Sequence, residues 1–146
     1  MTDLFDLDRF VQAQEPVYSR VISELSQGRK QSHWMWYIFP QIAGLGLSAM
    51  SQRYAIASPG EAKAYLAHAV LGPRLIECTG LVLGVRGRTI HAIFGSPDDL
   101  KFRSSMTLFA AMSDQTIFAD ALAKYFAGER DPATLEILAR LVRDTG

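Results

Sequence analysis

The side chains best equipped for chemistry gather in one decapeptide, Ser-His-Trp-Met-Trp-Tyr-Ile-Phe-Pro-Gln at 32–41. Both tryptophans of the chain, Trp34 and Trp36, stand there beside His33, one of its three histidines. An unperturbed imidazole titrates near neutrality, so His33 is the candidate for proton transfer; the competing role is a histidine that caps a turn or bonds a backbone carbonyl. Trp34, Trp36 and Gln41 combine aromatic walls with polar handles, next to Arg29 and Lys30. Pockets for planar ligands such as a base, a nicotinamide or a ribosyl group are built this way, although tryptophans also fill cores. A second candidate surface follows Pro97. Asp98, Lys101 and Ser105 fall at i, i+3 and i+7 of a helical register, Ser104 is adjacent, and Arg103 pairs with Thr107 at i,i+4. Lys101 or Arg103, with the hydroxyls of Ser104 and Ser105, has the chemistry to grip a phosphate or carboxylate. Asp98 and Asp99 occupy the positive start of that helix, so an anion is expected from the side, near Lys101 and Ser105. The plainer alternatives are a solvated face with an Asp98–Lys101 ion pair, or small serines that let helices pack closely.

Other reaction classes lack their residues. Three scattered histidines and a single cysteine, with no His-Glu-x-x-His motif, lead us to expect no metal, and no cofactor motif is present. Cys78 shares an apolar run with Leu75 and Val82, the setting of a small buried hydrophobe rather than a nucleophile. Gly44-Leu45-Gly46 is only Gly-x-Gly without a preceding strand, and no Ser-His-Asp order or nucleophile elbow can be assembled. Fifteen basic residues balance fifteen acidic ones, which disfavours a nucleic acid partner unless Arg29, Lys30, Arg86, Arg88 and Arg103 share a face. No stretch has the apolar length of a membrane span, and the opening Met-Thr-Asp-Leu-Phe-Asp lacks a signal-peptide pattern. The expectation is a cytoplasmic protein that binds neither membrane nor nucleic acid, as a monomer or weak dimer.

The elements that must position these residues read as helices. Ser58-Pro59-Gly60-Glu61 has the pattern of a capping box, Ser96-Pro97-Asp98-Asp99 repeats it with aspartate, Asp131-Pro132 opens a third helix and Gly72-Pro73 a fourth. Gly28, Gly84 and Gly128 fall where helices should stop. Leu7, Phe10, Val11, Gln14, Val17, Tyr18, Val21, Ile22 and Leu25 keep a three–four period across Pro16, which predicts one kinked helix or two nearly collinear ones over 6–27. Helices follow over 61–67, 74–83, 98–112, 116–127 and 133–143. The run Thr89–Phe94 fits a strand or a short helix, and a lone strand would lack a partner. His68 should end a helix as a favourable cation, and Glu77 is placed to pair with Arg74. The length of 146 residues suits one domain without linker or repeat. The predicted architecture is all-α, a single domain over 1–146 with six to eight helices.

Several motifs together carry a resemblance: the decapeptide at 32–41, Gly-Leu-Gly-Leu-Ser at 44–48, Tyr-Ala-Ile at 54–56, Glu-Ala-Lys-Ala-Tyr-Leu-Ala-His at 61–68, Leu-Gly-Pro-Arg-Leu at 71–75, Ile-Phe-Gly at 93–95, and Asp-Asp-Leu-Lys-Phe-Arg-Ser-Ser-Met-Thr-Leu-Phe at 98–109. Over nearly its whole length the chain resembles the bacterial family catalogued as domain of unknown function 1810. The resemblance implies a mainly helical single domain with no established activity. Some members of that family carry a calpastatin label, but calpastatin-type inhibitors are disordered polar chains and this composition forms a core. Where the family more usually has proline, this chain has Ala69.

These readings combine into one expectation. A small polar or phosphorylated metabolite, nucleotide-like or ADP-ribose-like, binds between the His33–Gln41 segment and the Asp98–Thr107 helix, with hydrolysis as a further option. A distant likeness in helical layout to N-glycosidase-like proteins acting on ADP-ribose derivatives favours that ligand by fold analogy alone. The alternative is a non-catalytic interaction module that presents Trp34 and Tyr37 as an aromatic surface.

Overall fold

The computed structural model of the chain describes residues 3–145. The helices are α1 (Asp8–Gln14), α2 (Tyr18–Ser26), α3 (Met35–Ile38), α4 (Ala49–Arg53), α5 (Pro59–Ala67), α6 (Leu71–Gly84), α7 (Ile90–Phe94), α8 (Asp98–Met112), α9 (Ile117–Phe126) and α10 (Pro132–Thr145). A parallel bridge between Ile42 and Ile56 is isolated, and no strand forms among the described residues. The two helices beyond the expected range, α3 and α4, span four and five residues, too few to show a hydrophobic period. Thr89–Phe94 resolves as helix: the Thr89 hydroxyl accepts from the Ala92 amide at 3.0 Å and starts α7. Pro16 separates α1 from α2.

Capping follows the predicted chemistry in part. Ser58 Oγ accepts from the Glu61 amide at 3.1 Å, and the Glu61 carboxylate returns a bond to the Ala57 amide at 3.0 Å. Ser96 does not cap α8. Pro97 holds the cap position there, one residue nearer the helix, and no side chain caps the helix. Gly84 is the last residue of α6 rather than the stop beyond it. His68 sits at the end of α5 as expected, yet its Nδ1 accepts from the Val70 and Leu71 amides at 3.1 and 3.3 Å. It therefore caps the start of α6 as an acceptor, which replaces the cation role. Between those helices the backbone turns through 86°. Gly72 makes the turn feasible: a Cβ there would stand 2.1 Å from the Leu66 carbonyl oxygen. Among the described residues no single helix is long and apolar enough to cross a membrane.

The core surrounds α8, which touches α5, α7, α9 and α10. Phe102, Met106 and Phe109 are fully buried, as their spacing required. Phe102 packs edge-on to Phe39 and stacked on Phe94, both at 5.0 Å between centroids. Cys78 is buried as well, and burial pushes its thiol up to about 12, far from thiolate chemistry. Polar links tie the outer helices down. Arg74 pairs with Glu15 at 2.7 Å, while Glu77 accepts the Tyr18 hydroxyl. The predicted Arg74–Glu77 pair therefore gives way to partners on α2 and on the turn after α1.

Candidate functional site

Trp34 and Trp36 lie on opposite sides of the question. Trp34 is 1% exposed, and its Nε1 donates to Glu24 Oε1 at 2.9 Å. The same carboxylate accepts from the amides of Gln31 and Ser32 and from the Ser32 hydroxyl at 2.6–3.0 Å. Burial alone would raise the Glu24 pKa. The hydrogen bonds from Ser32, Gln31 and Trp34 outweigh it and hold the carboxyl down at about 2. Lys30 Nζ lies 5.2 Å from the centre of the Trp34 ring and 2.9 Å from Asp98 Oδ2. This cluster is saturated. Tyr37 is 8% exposed, so the aromatic surface expected from Trp34 and Tyr37 is absent; both rings were recruited by the core.

Trp36 is half-buried and lines a cavity of about 120 Å³. Gln41, Ala43, Gly46, Ser51 and Tyr54 contribute to the other walls. The Gln41 amide and the Trp36 indole N–H make no hydrogen bond to any described residue, so both keep their capacity for a ligand. The wall is close-packed behind them. Gly46 is obligatory because a Cβ there would meet Ser51 at 2.6 Å. Ser51 Oγ in turn accepts from Ser48 Oγ, and Gln52 donates to the Leu47 carbonyl, each at 2.9 Å. Two larger hollows, of about 400 Å³ beside Asp3, Phe5 and His68 and about 300 Å³ beside Lys63, Ile76 and Asp114, are more open to the surface.

The start of α8 approaches Trp36 through Lys101, which is outside the cavity lining. Lys101 Nζ lies 5.4 Å from the centre of the Trp36 ring and 3.6 Å from Asp98 Oδ1. Asp98 thus joins two lysines, each set over one tryptophan. The remaining predicted binding residues of α8 lie elsewhere. Ser104 Oγ donates to Asp131 Oδ2 at 2.8 Å, and Arg103 reaches Asp131 Oδ1 at 3.7 Å. The Asp131 carboxyl, pushed up by burial, is held below its usual range chiefly by the hydroxyls of Thr134 and Ser104. Ser105 is fully buried, and its hydroxyl has no partner among the described residues. Ser104 and Ser105 of the polar stripe therefore face α10 and the core rather than solvent. Of the five cations that could have formed a basic face, Lys30, Arg88 and Arg103 are engaged by Asp98, the Ala92 carbonyl and Asp131.

His33 is exposed and outside the cavity lining. His91 is exposed and pairs with Asp99 at 3.3 Å. No three His, Cys, Asp or Glu side chains converge on one point among the described residues. Sequence reasoning missed Glu24, Ser51, Tyr54 and Ala55. The last three lie just beyond Gly44-Leu45-Gly46, and that glycine pair was the available signal.

The chain matches the family model described as "Protein of unknown function (DUF1810)" over residues 4–138. Among solved structures it is similar to the conserved hypothetical protein Rv1873 from Mycobacterium tuberculosis. The two are 58% identical, with 94% of this chain and 99% of that chain covered and a TM-score of 0.93. No curated protein matches the chain.

Proposed function

Because the chain belongs to DUF1810, a family of proteins of unknown function, membership supplies no reaction, and we propose from the site's own chemistry that the Trp36 cavity binds one planar polar ring of an anionic, nucleotide-like metabolite. The observation that carries this reading is the unspent hydrogen-bonding capacity of Gln41 and Trp36 at a cavity wall. Volume narrows the ligand. A cavity of about 150 Å³ takes a benzene ring, whereas a pocket for a whole drug-sized ligand needs roughly 300 Å³ or more. The 120 Å³ beside Trp36 therefore suits a single ring, with any ribose and phosphate outside. Lys101, close to the Trp36 ring, is the cation such a phosphate would meet. The lining holds no carboxylate or imidazole, so the reading is one of binding rather than hydrolysis.

Thermal-shift titration with uridine monophosphate, AMP, nicotinamide mononucleotide and ribose 5-phosphate tests it. Saturation at a hundred times the dissociation constant stabilises by about 2.7 kcal/mol. We expect at least one ring-bearing nucleotide to stabilise the protein, ribose 5-phosphate to do nothing, and both Trp36→Ala and Gln41→Ala to abolish the effect. A shift that persists in both variants places the binding elsewhere, and no shift with any of the three nucleotides ends the proposal.

A further inference from the structure

The cavity walls hang from α1, and one guanidinium does most of the holding. Arg9 Nε donates to the Arg53 carbonyl at 2.8 Å. Its Nη1 donates to the carbonyls of Phe5 and Asp6 at 2.6 and 2.8 Å, and its Nη2 to the Ala55 carbonyl at 2.9 Å and to Glu61 Oε2 at 2.8 Å. All five N–H donors are spent. Arg53 and Ala55 flank Tyr54, and both Tyr54 and Ala55 line the cavity. The next residue carries the constraint across: Ile56 N donates to the Gln41 carbonyl at 2.9 Å, and Ile56 O accepts from the Ala43 amide at 2.8 Å. Among the described residues no other side chain bonds the carbonyls of 53–57.

We propose that Arg9 is a positioning residue of the Trp36 cavity: by gripping the carbonyls on either side of Tyr54 it sets the 53–55 wall and, through the Ile42–Ile56 bridge, the strip that carries Gln41. The five donors of the planar fork reach four carbonyls and a carboxylate at once. The single nitrogen of a lysine keeps the charge but cannot span them. Glu61 has a different part. Its carboxylate balances the charge and caps α5 through the Ala57 amide. A purely structural Arg9–Glu61 ion pair would act on the whole fold, and its loss would disturb both tryptophans alike.

The two tryptophans make the test internal. Protein labelled with 5-fluorotryptophan gives two fluorine resonances, assigned with Trp36→Phe. In Arg9→Lys the Trp36 line should shift or broaden while the Trp34 line, set in its saturated cluster, stays at the parental position. Glu61→Gln removes the charge and, with a single acceptor oxygen, keeps only one of the two contacts; it should leave the Trp34 line in place. Equal movement of the two lines in Arg9→Lys, or movement of neither, overturns the proposal. Movement of the Trp34 line in Glu61→Gln overturns it too, and decides the matter even if Arg9→Lys fails to fold. One arm rests on the ligand reading above: uridine monophosphate should move the parental Trp36 line, with affinity weakened at least about tenfold in Arg9→Lys. If uridine monophosphate moves nothing in the parent, its binding fails alone, and the positioning role is still judged on the unliganded lines.

Discussion

Trp34 and Trp36 are separated by one methionine, and each has a lysine over its ring drawn from the same Asp98. Around Trp34 every polar group has a partner: the indole N–H, the Ser32 hydroxyl and two amides all end on Glu24. Around Trp36 the indole N–H and the neighbouring Gln41 amide have none among the described residues. Polar residues beside aromatics are therefore not in themselves a site. A saturated set is a structural device, since burying an unpaired polar group costs roughly 1–3 kcal/mol. A set with capacity left at a cavity wall is available to a ligand.

The largest break of this contrast is Glu24→Ala. It strands three backbone and side-chain donors together with the Trp34 indole, and should cost about 3 kcal/mol or more in urea unfolding. Ligand affinity at Trp36 should not change. An acid titration sharpens the same point. The folded Glu24 carboxyl sits at about 2, below its ordinary 4.5. The unfolded chain binds that proton more readily, so the contribution is fully present above about 4.5 and is lost as pH falls toward about 2. Full loss is about 3 kcal/mol. Asp131 is held down too and adds to the same acid limb. Stability of Glu24→Gln, followed by calorimetry, should fall less steeply below 4.5; an identical slope would mean that Glu24 is not the responsible group.

The matched pair Trp34→Phe and Trp36→Phe should separate fold from site. The first loses a buried hydrogen bond and ring volume, about 2 kcal/mol. The second should cost under about 1 kcal/mol and remove ring-ligand binding. Equal stability losses, measured by urea titration, would erase the contrast. Gly46→Ala is smaller and more local. Its Cβ must displace Ser51 from 2.6 Å, so α4 should shift at a cost of about 1 kcal/mol, with weaker nucleotide binding and an unchanged Glu24 cluster.

How much of this was legible follows from the range of each interaction. The bounds of α8, Asp98–Met112, could be read from Pro97 and from Phe102, Met106 and Phe109, because caps and helical period are local. The pairing of Glu24 with Trp34 could not be read, since no local rule joins residues ten apart across a turn. The α8 stripe failed for a related reason. Lys101, Ser104 and Ser105 were correctly placed in register, but which side faces solvent depends on α10, which packs over Ser104 through Asp131. Trp36 and Gln41 were legible as neighbours. The wall opposite them, Tyr54 and Ala55, is delivered by Arg9 from 44 residues or more away.

The smallest expected effect falls on His33, the histidine that sequence reasoning placed in the site. It is exposed, lies outside the cavity lining, and precedes the saturated Trp34 rather than the available Trp36. A surface substitution away from caps, core and networks changes stability by no more than about 0.5 kcal/mol, so His33→Ala should be silent in urea titration. It should be silent in nucleotide titration as well, because the ring occupies a cavity to which His33 contributes no atom. A tenfold loss of nucleotide affinity in His33→Ala would show that the ligand extends over the Trp34 side. The division between a structural and a functional tryptophan would then have to be redrawn around both rings.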